Sequence, residues 1–272
     1  MTDSPNQTHT HNHNHDHQVR GQGQPSLSQR SVLVLRPHSG LSGDMLVAGL
    51  TSLLDLSKRE LEDFVSALGL KELKASIKLE KKSLNHIGGL TLKVDFPIER
   101  QHRTLAEIKA FFSKADLSQN AKSLALEAFE ILAKAEGQVH DIKPEEVSFH
   151  EVGALDSLLD IGLAAALFDK LKPSAFICGP LPICDGVIEC AHGLLPSPAP
   201  AVATLLEGTM VTGLNSRGET VTPTGLSLLK AFGAEFGPWP EMVVVKQTLI
   251  YGSRELPGVP NGALFVYGAL VS

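Results

Sequence analysis

The feature that most limits the fold is an alternation along the sequence. After the first 30 residues, short apolar runs alternate with longer amphipathic helical patterns. Residues 31–35 and 175–178 are predicted as buried strands, and residues 45–54 repeat their apolar positions at helical spacing. Two further strand-like runs, 242–250 and 263–270, lie near the C-terminal end. Strands that alternate with helices predict an α/β or α+β fold, with a mixed sheet flanked by helices.

One hairpin is predicted from alternation and glycine. Residues 74–79 and 90–96 alternate apolar and polar side chains, as half-buried strands do. Gly88 and Gly89 stand between the two runs, so we predict the turn of the hairpin there.

The charge balance of the chain excludes two classes of partner. The 272 residues carry 24 Lys and Arg against 30 Asp and Glu, a net charge of −6 with His neutral. A surface that follows nucleic acid or an anionic membrane needs excess positive charge, so we expect neither as a partner. No apolar run reaches the roughly 18 residues of a membrane span. Because three Cys is a low, odd count that fits a reducing compartment, we expect a cytoplasmic location.

The first 30 residues differ from the rest by their near lack of apolar side chains. Such a segment cannot bury enough surface to offset its ordering entropy, so we expect a disordered tail over 1–30 and a single globular domain over 31–272. Five histidines alternate there with other residues: His9, His11, His13, His15 and His17. Imidazole suits nickel, zinc and copper, so we interpret this tract as metal-binding. An affinity tag or a solubilising tail would also explain it.

Two stretches each end in a predicted helix start, where backbone N–H groups can hold an anion. The first runs from Ser39 to Asp44 and lacks the GKS or GKT sequence of a Walker A loop. The second has Thr222 as N-cap and Pro223 at the first helical position. Spacing leaves open whether these residues bind a ligand or only form turns and caps. The candidate cofactor-binding residues are Ser39, Gly40, Ser42, Gly43, Asp44, Thr222 and Thr224.

The segment 149–160 gathers titratable side chains at the start of an apolar helix. His150 and Glu151 precede the helix, whereas Asp156 and Asp160 lie four residues apart on one helical face. A carboxylate on a buried helix is costly unless it is paired, hydrogen-bonded or bound to a metal. The structural alternative is that Asp156 caps the helix and Asp160 pairs with a Lys or Arg. We take His150, Glu151 and Asp156 as candidate catalytic residues.

Cys190 and His192 are candidate metal ligands. In an extended segment the two side chains would project to the same side, and thiolate and imidazole are suitable ligands for nickel or zinc. A core thiol beside a hydrogen-bonded His explains the pair at least as well, because two ligands do not make a site.

Six motifs occur in one order along the body of the chain. They are SGLSGDM at 39–45, HRTLAEI at 102–108, FHEVGALDSLLDI at 149–161, CAHGLLPSPAP at 190–200, GETVTPTG at 218–225 and YGSRELPGVPN at 251–261. Together they resemble the LarC-type cyclometallases, which are nickel-insertion proteins of the lactate racemase pincer cofactor. The resemblance covers about residues 31–270.

The resemblance implies a lyase-class nickel chelatase of cofactor biosynthesis. Its substrate would be pyridinium-3,5-bisthiocarboxylic acid mononucleotide, which gains a carbon–nickel bond and two sulfur–nickel bonds while CTP is hydrolysed. The motifs match the N-terminal part of the family, so we expect CTP to bind to a separate domain or a partner chain. Self-association stays open. A non-enzymatic nickel metallochaperone or storage protein is the alternative function.

The resemblance also suggests roles for the candidate residues. The tail would collect nickel, and a folded site would receive it. That site is expected to comprise His150, Glu151, Asp156, Cys190 and His192. The helix starts at 42–44 and 222–225 would hold the phosphate and carboxylate-like groups of the precursor. Forming the carbon–nickel bond removes a ring proton, for which His150 or Glu151 is the expected base.

Overall fold

The computed structural model describes residues 30–96, 102–149, 155–190, 193–254 and 256–271. The side chains of five residues inside these ranges are excluded from the description: Glu72, Lys74, Ala75, Glu189 and Cys190. The predicted tail lies outside the described residues as far as residue 29. Its predicted disorder and the single-domain boundary therefore stay predictions.

The described strands are numbered in chain order. They are β1 Ser31–Pro37, β2 Lys78–Leu84, β3 Ile87–Lys93, β4 Arg103–Thr104, β5 Ser148–Phe149, β6 Ala175–Cys178, β7 Leu181–Ile183, β8 Gly186–Cys190, β9 Gly193–Ser197, β10 Val211–Gly213, β11 Glu235–Phe236, β12 Met242–Tyr251 and β13 Gly262–Leu270. The predicted strands at 31–35, 175–178, 242–250 and 263–270 are thus confirmed as β1, β6, β12 and β13.

The described helices are numbered in the same way. They are α1 Gly43–Leu53, α2 Lys58–Ala67, α3 Leu105–Lys114, α4 Gln119–His140, α5 Leu155–Leu171, α6 Pro200–Leu205 and α7 Pro223–Ala231. Two short 3₁₀ helices occupy Lys71–Ser76 and Pro144–Glu146. No helix among the described residues combines the length and the apolar character that a membrane crossing requires.

Seven of the strands form one sheet in the order β11-β6-β1-β13-β12-β3-β2. β6 runs parallel to β1 and to β11, whereas β13 is antiparallel to both β1 and β12. The sheet is therefore mixed, as the alternation of strands and helices predicts. α1 packs against β3, β12, β13 and α5, and α4 packs against α5 and α7, so two helical layers cover the sheet.

β1 is buried along its whole length, and its alternate side chains belong to two different apolar clusters. Leu33 and Leu35 join the main core, while Val32 and Val34 pack with Val266 in a second apolar cluster. A strand that is buried on both faces is expected to be a continuous apolar run, and the sequence of β1 has this pattern.

The predicted hairpin exists, but the position of its turn was wrong. β2 and β3 are joined at Asn85 and His86, which have φ values of 50° and 65°. Two successive positive φ values match the tight turn that follows the right-handed twist of paired strands. Gly88 and Gly89 lie inside β3 instead, and a Cβ on Gly89 would lie 2.7 Å from the Tyr251 ring.

A two-residue strand pair brings two of the sequence motifs together. β4 pairs with β5, so Arg103 of the HRTLAEI motif lies opposite Phe149 at the start of the FHEVGALD segment. α3 begins directly after β4, and Thr104 and Glu107 form its capping box. This pairing fixes the chain just ahead of α5, at the edge of the cavity described below.

Candidate functional site

A cavity of about 1180 Å³ lies where the starts of α1, α5, α6 and α7 meet. The end of β3, the end of α4 and the β8–β9 hairpin complete its walls. One part of the wall is apolar, with Val94, Phe96 and Ile188. The other part carries the polar residues of the helix starts, and six predicted site residues lie there: Ser42, Gly43, Asp44, Asp156, Thr222 and Thr224.

The start of α1 is occupied by a carboxylate of the protein itself. Ser42 has the extended backbone of an N-cap, but its hydroxyl donates to the Asp44 carboxylate and does not cap the helix. The carboxylate of Asp160, on α5, accepts a hydrogen bond from the backbone N–H of Asp44. The first turn of α1 is therefore partly satisfied across two helices before any ligand binds.

Glycine is required where α1, α5 and α7 meet. A Cβ on Gly43 would lie 2.7 Å from Oδ2 of Asp160 and 3.0 Å from the methyl carbon of Thr224. A Cβ on Gly225 would lie 3.0 Å from Cα of Ser42. The two glycines of SGLSGDM and TPTG thus let three helices approach within contact distance, which explains their positions in packing terms.

Asp160 is a strongly perturbed carboxyl group on the cavity wall. It is only partly accessible, and burial raises its pKa well above the usual range. The neighbouring carboxylates of Asp44 and Asp156 raise that pKa further, while the hydrogen bond from the Asp44 N–H opposes the shift. The carboxyl group of Asp160 therefore keeps its proton to a higher pH than an ordinary Asp. Perturbed groups of this kind are concentrated in functional sites.

The start of α7 has the predicted cap. Thr222 accepts a hydrogen bond at 3.1 Å from the N–H of Gly225, and Pro223 occupies the first helical position. Thr222 and Thr224 both line the cavity. This helix start, with its positive end of the helix dipole, is directed at the same space as the carboxylates.

Ser39 and Gly40 lie beneath the cavity wall and do not line it. Ser39 is buried, and its hydroxyl donates to the carbonyl of Pro260 and accepts the N–H of Gly262 at 3.0 Å. Gly40 packs so closely on Asn261 that any Cβ would collide with that side chain. The two residues anchor the loop before α1 to the start of β13. Their predicted contact with a cofactor stays a prediction.

The remaining predicted site residues lie outside the described part of the molecule. This holds for His150, Glu151, His192 and the five histidines of the tail, and for the side chain of Cys190, the last residue of β8. Among the described residues, no group of three or more His, Cys, Asp or Glu is arranged to hold a metal ion. The proposed metal ligands therefore stay predictions.

Sequence reasoning missed one charged pair on the cavity wall. Arg254, in the loop after β12, donates through Nη1 to Oε2 of Glu219, in the loop before α7. The Arg254 side chain is 61% exposed, whereas that of Glu219 is 12% exposed. Both residues stand within quoted motifs, but the pairing joins two loops that no local pattern connects.

Comparison with known proteins agrees with the resemblance drawn from the motifs. The family model described as "Nickel insertion protein" matches residues 33–268. A protein of Pelobacter propionicus is 38% identical over 223 residues, and one of Geobacter sulfurreducens is 39% identical over the same length. Both carry the name "Putative nickel insertion protein", and each alignment covers 82% of this chain and 57% of the relative.

A third relative has a more specific name. The "Pyridinium-3,5-bisthiocarboxylic acid mononucleotide nickel insertion protein" of Staphylococcus epidermidis is 33% identical over 221 residues, which is 81% of this chain and 55% of that protein. The chain thus spans somewhat more than half the length of these curated relatives. No solved structure matches the chain.

Proposed function

Because the chain belongs to the nickel insertion protein family, we propose that it inserts nickel into pyridinium-3,5-bisthiocarboxylic acid mononucleotide, in the cavity at the starts of α1, α5 and α7. The name of the Staphylococcus epidermidis relative supports this choice of substrate. Nickel is the cargo of the reaction, and the mononucleotide is its acceptor.

The observation that carries the proposal is the presence of carboxylates and helix starts in one cavity. Asp44, Asp156 and Asp160 bring negative charge that attracts a divalent cation. The helix starts bring backbone N–H groups that attract phosphate and thiocarboxylate. A substrate that is itself anionic and that receives a cation needs both. The volume of about 1180 Å³ is sufficient for a mononucleotide, since typical small-molecule sites measure roughly 300–1,000 Å³.

The proposed reaction is an exchange of a proton for nickel at the pyridinium ring. The ring C–H bond breaks, its proton passes to a base of the protein, and the carbon binds nickel together with the two sulfur atoms. Asp160 is the less suitable base, because its carboxyl group already accepts the N–H of Asp44 and packs between α1 and α5. We therefore propose that the base is His150, Glu151 or Asp156. Of these, the described residue, Asp156, lines the cavity.

Delivery and activation of nickel complete the proposal. The tail histidines His9 to His17 would raise the local nickel concentration, and Cys190 and His192 would pass the ion to the cavity. CTP would be bound and hydrolysed by a separate domain or partner chain. Each of these assignments is supported by residue chemistry and by the family resemblance.

The test is a nickel-transfer assay with the full chain, nickel, the thiolated mononucleotide and CTP, with and without a CTP-binding part from a relative. Mass spectrometry should detect the nickel isotope pattern in the nucleotide. Replacing the true base, by His150→Ala, Glu151→Gln or Asp156→Asn, should lower the transfer rate about 100-fold or more. Lys134→Gln, at an exposed position of α4 that does not line the cavity, is the control that should leave the rate unchanged.

A second assay separates the tail from the cavity. Substituting Asn for His9, His11, His13, His15 and His17 together should remove the weak nickel sites and leave one cavity site measurable by calorimetry. That remaining site should weaken in the Cys190→Ala variant. If nickel binds but never enters the nucleotide under any of these conditions, the proposal is wrong and the metallochaperone alternative is supported.

A further inference from the structure

The charged side chains on the cavity wall are mostly acidic. The acidic residues of the wall, among those that the structure describes, are Asp44, Glu136, Glu146, Asp156, Asp160 and Glu219. A mononucleotide carries a phosphate with a charge of about −1.5 to −2 at neutral pH, so it needs a cation in these surroundings. Besides His140, which pairs with Glu136, the described basic residues of the wall are Lys93 and Arg254.

Lys93 is the poorer candidate for this role. It is the last residue of β3 and is exposed at the end of that strand. Its ammonium is a flexible point charge without a fixed direction for its hydrogen bonds. A guanidinium presents a planar set of donors that matches a phosphate, which favours Arg254.

Glu219 contacts the guanidinium of Arg254 at a single nitrogen, Nη1. The carboxylate is largely buried and contacts Nη1, while the rest of the Arg254 side chain is open to solvent. One nitrogen is thus used for positioning, and the other N–H groups, which bond to no described residue, can serve a ligand. A buried acid that orients an exposed cation is the arrangement expected of a positioned binding group.

The backbone beneath Arg254 is fixed before any ligand arrives. The side-chain amide of the buried Asn261 donates to the carbonyl of Arg254 at 3.1 Å, and the N–H of Gly252 donates to the Asn261 carbonyl at 2.9 Å. Lys82, on β2, donates to the carbonyl of Gly252 at 3.0 Å. These contacts hold the loop after β12 from two sides, which reduces the ordering cost of binding.

The ion pair is also next to the start of α7. Glu219 precedes the N-cap Thr222 by three residues, and Thr220 between them is buried with its hydroxyl bonded to the Pro182 carbonyl at 2.6 Å. The guanidinium and the positive end of a nine-residue helix therefore belong to the same part of the cavity wall.

We propose that Arg254 binds the phosphate group of the mononucleotide and that Glu219 is its positioning residue. The inference rests on the proposed function for the identity of the nucleotide. The phosphate contact itself rests on the charges, contacts and cavity described above. It assigns one end of the substrate to the α7 side of the cavity and leaves the carboxylates of α1 and α5 for the metal-receiving end.

The experiment compares two probes on the full chain by calorimetry: a pyridine mononucleotide without sulfur and the matching nucleoside, which lacks the phosphate. The wild type should bind the mononucleotide more tightly. Arg254→Gln should weaken mononucleotide binding roughly 10- to 100-fold and leave nucleoside binding unchanged. Arg254→Lys should keep part of the preference, and Glu219→Gln should lose a smaller part than Arg254→Gln.

Arg217→Gln is the matched control, because Arg217 is exposed, lies two residues before Glu219 and does not line the cavity. An unchanged mononucleotide preference in Arg254→Gln would overturn the inference. If neither pyridine compound binds the wild type, titration of inorganic phosphate followed by ³¹P NMR decides the point. Phosphate binding that is lost in Arg254→Gln supports the inference while the proposed substrate fails, and phosphate binding that persists overturns it.

Discussion

The two ends of α5 both border a depression in the protein surface, but the carboxylates at the two ends have different neighbours. Asp156 and Asp160, in the N-terminal half, face the large cavity beside Asp44. Asp169, near the C-terminal end, borders a groove of about 410 Å³ between α2, α4 and α5. Its carboxylate accepts the side-chain amide of Asn120 at 2.7 Å and the hydroxyl of Ser118, the N-cap of α4.

The difference lies in the groups that surround each carboxylate. Asp169 is satisfied by neutral donors at the start of α4, so it joins two helices and has little left to offer a ligand. Burial raises the pKa of Asp160, and the two neighbouring acids, Asp44 and Asp156, raise it further. Mutual repulsion of this kind costs stability and is relieved by a cation or a proton. This repulsion gives the cavity, unlike the groove, a physical reason to bind a cation or a proton.

Of the substitutions that test this comparison, Gly43→Ala should have the largest effect on stability. Its Cβ would lie 2.7 Å from Oδ2 and 2.8 Å from Cβ of Asp160, so α1 and α5 must move apart. We expect a loss of about 2–3 kcal/mol in the free energy of unfolding, measured by urea denaturation. In Gly88→Ala the new Cβ meets nothing within 4 Å, so this control should change stability by less than about 0.5 kcal/mol.

A smaller and pH-dependent effect is expected from Asp160→Asn. The pKa of Asp160 is higher in the folded state than in the unfolded state. The contribution of Asp160 to the free energy of unfolding is therefore fully present below its pKa in the unfolded state, and it is lost as pH rises toward its pKa in the folded state. In that window the wild type should lose at most about 1.4 kcal/mol per pH unit from this group. The variant should lack that slope, so its stability relative to the wild type should increase with pH.

Urea denaturation at several pH values above 4 checks this expectation. Asn keeps an oxygen that can accept the N–H of Asp44, so the packing of α1 on α5 should be retained. Identical slopes for the two proteins would mean that Asp160 titrates like an exposed acid, and the contrast with Asp169 would then be lost.

The smallest effect on stability is expected from Asp169→Ala, which tests the comparison at the C-terminal end of α5. Removing the acceptor of Ser118 and Asn120 should cost about 1 kcal/mol of stability, since both bonds lie near the surface. Nickel transfer should be unchanged. A variant that is stable but inactive would place the groove in the functional site and would reverse the assignment made above.

Much of the fold follows from local signals. The continuous apolar run of β1 and the Thr222-Pro223 start of α7 were predicted because burial and capping are encoded by adjacent residues. The β2–β3 turn was misplaced because Gly88 and Gly89 are the stronger turn signal in sequence. Gly89 is instead required by Tyr251, a contact with another strand that no local pattern contains.

The site was predictable to the extent that its residues lie at helix starts. Asp44 and Asp156 could be placed in this way, and the helical spacing of Asp156 and Asp160 indicated a shared face. The pairing of Glu219 with Arg254 could not be predicted, because the two residues are 35 positions apart in separate loops. The anchoring role of Ser39 could not be predicted either, because its partner, Gly262, is 223 residues away.

That anchor has a consequence for the order of events in the cell. Ser39 leaves the ribosome 223 residues before Gly262, whose N–H its hydroxyl must accept to hold the loop before α1 in place. The nascent chain therefore carries the SGLSGDM motif without the strand that supports it until those residues have been added. The wall of the cavity is complete only after β13 has emerged, so any ligand of the cavity can bind there only to a chain that already contains β13.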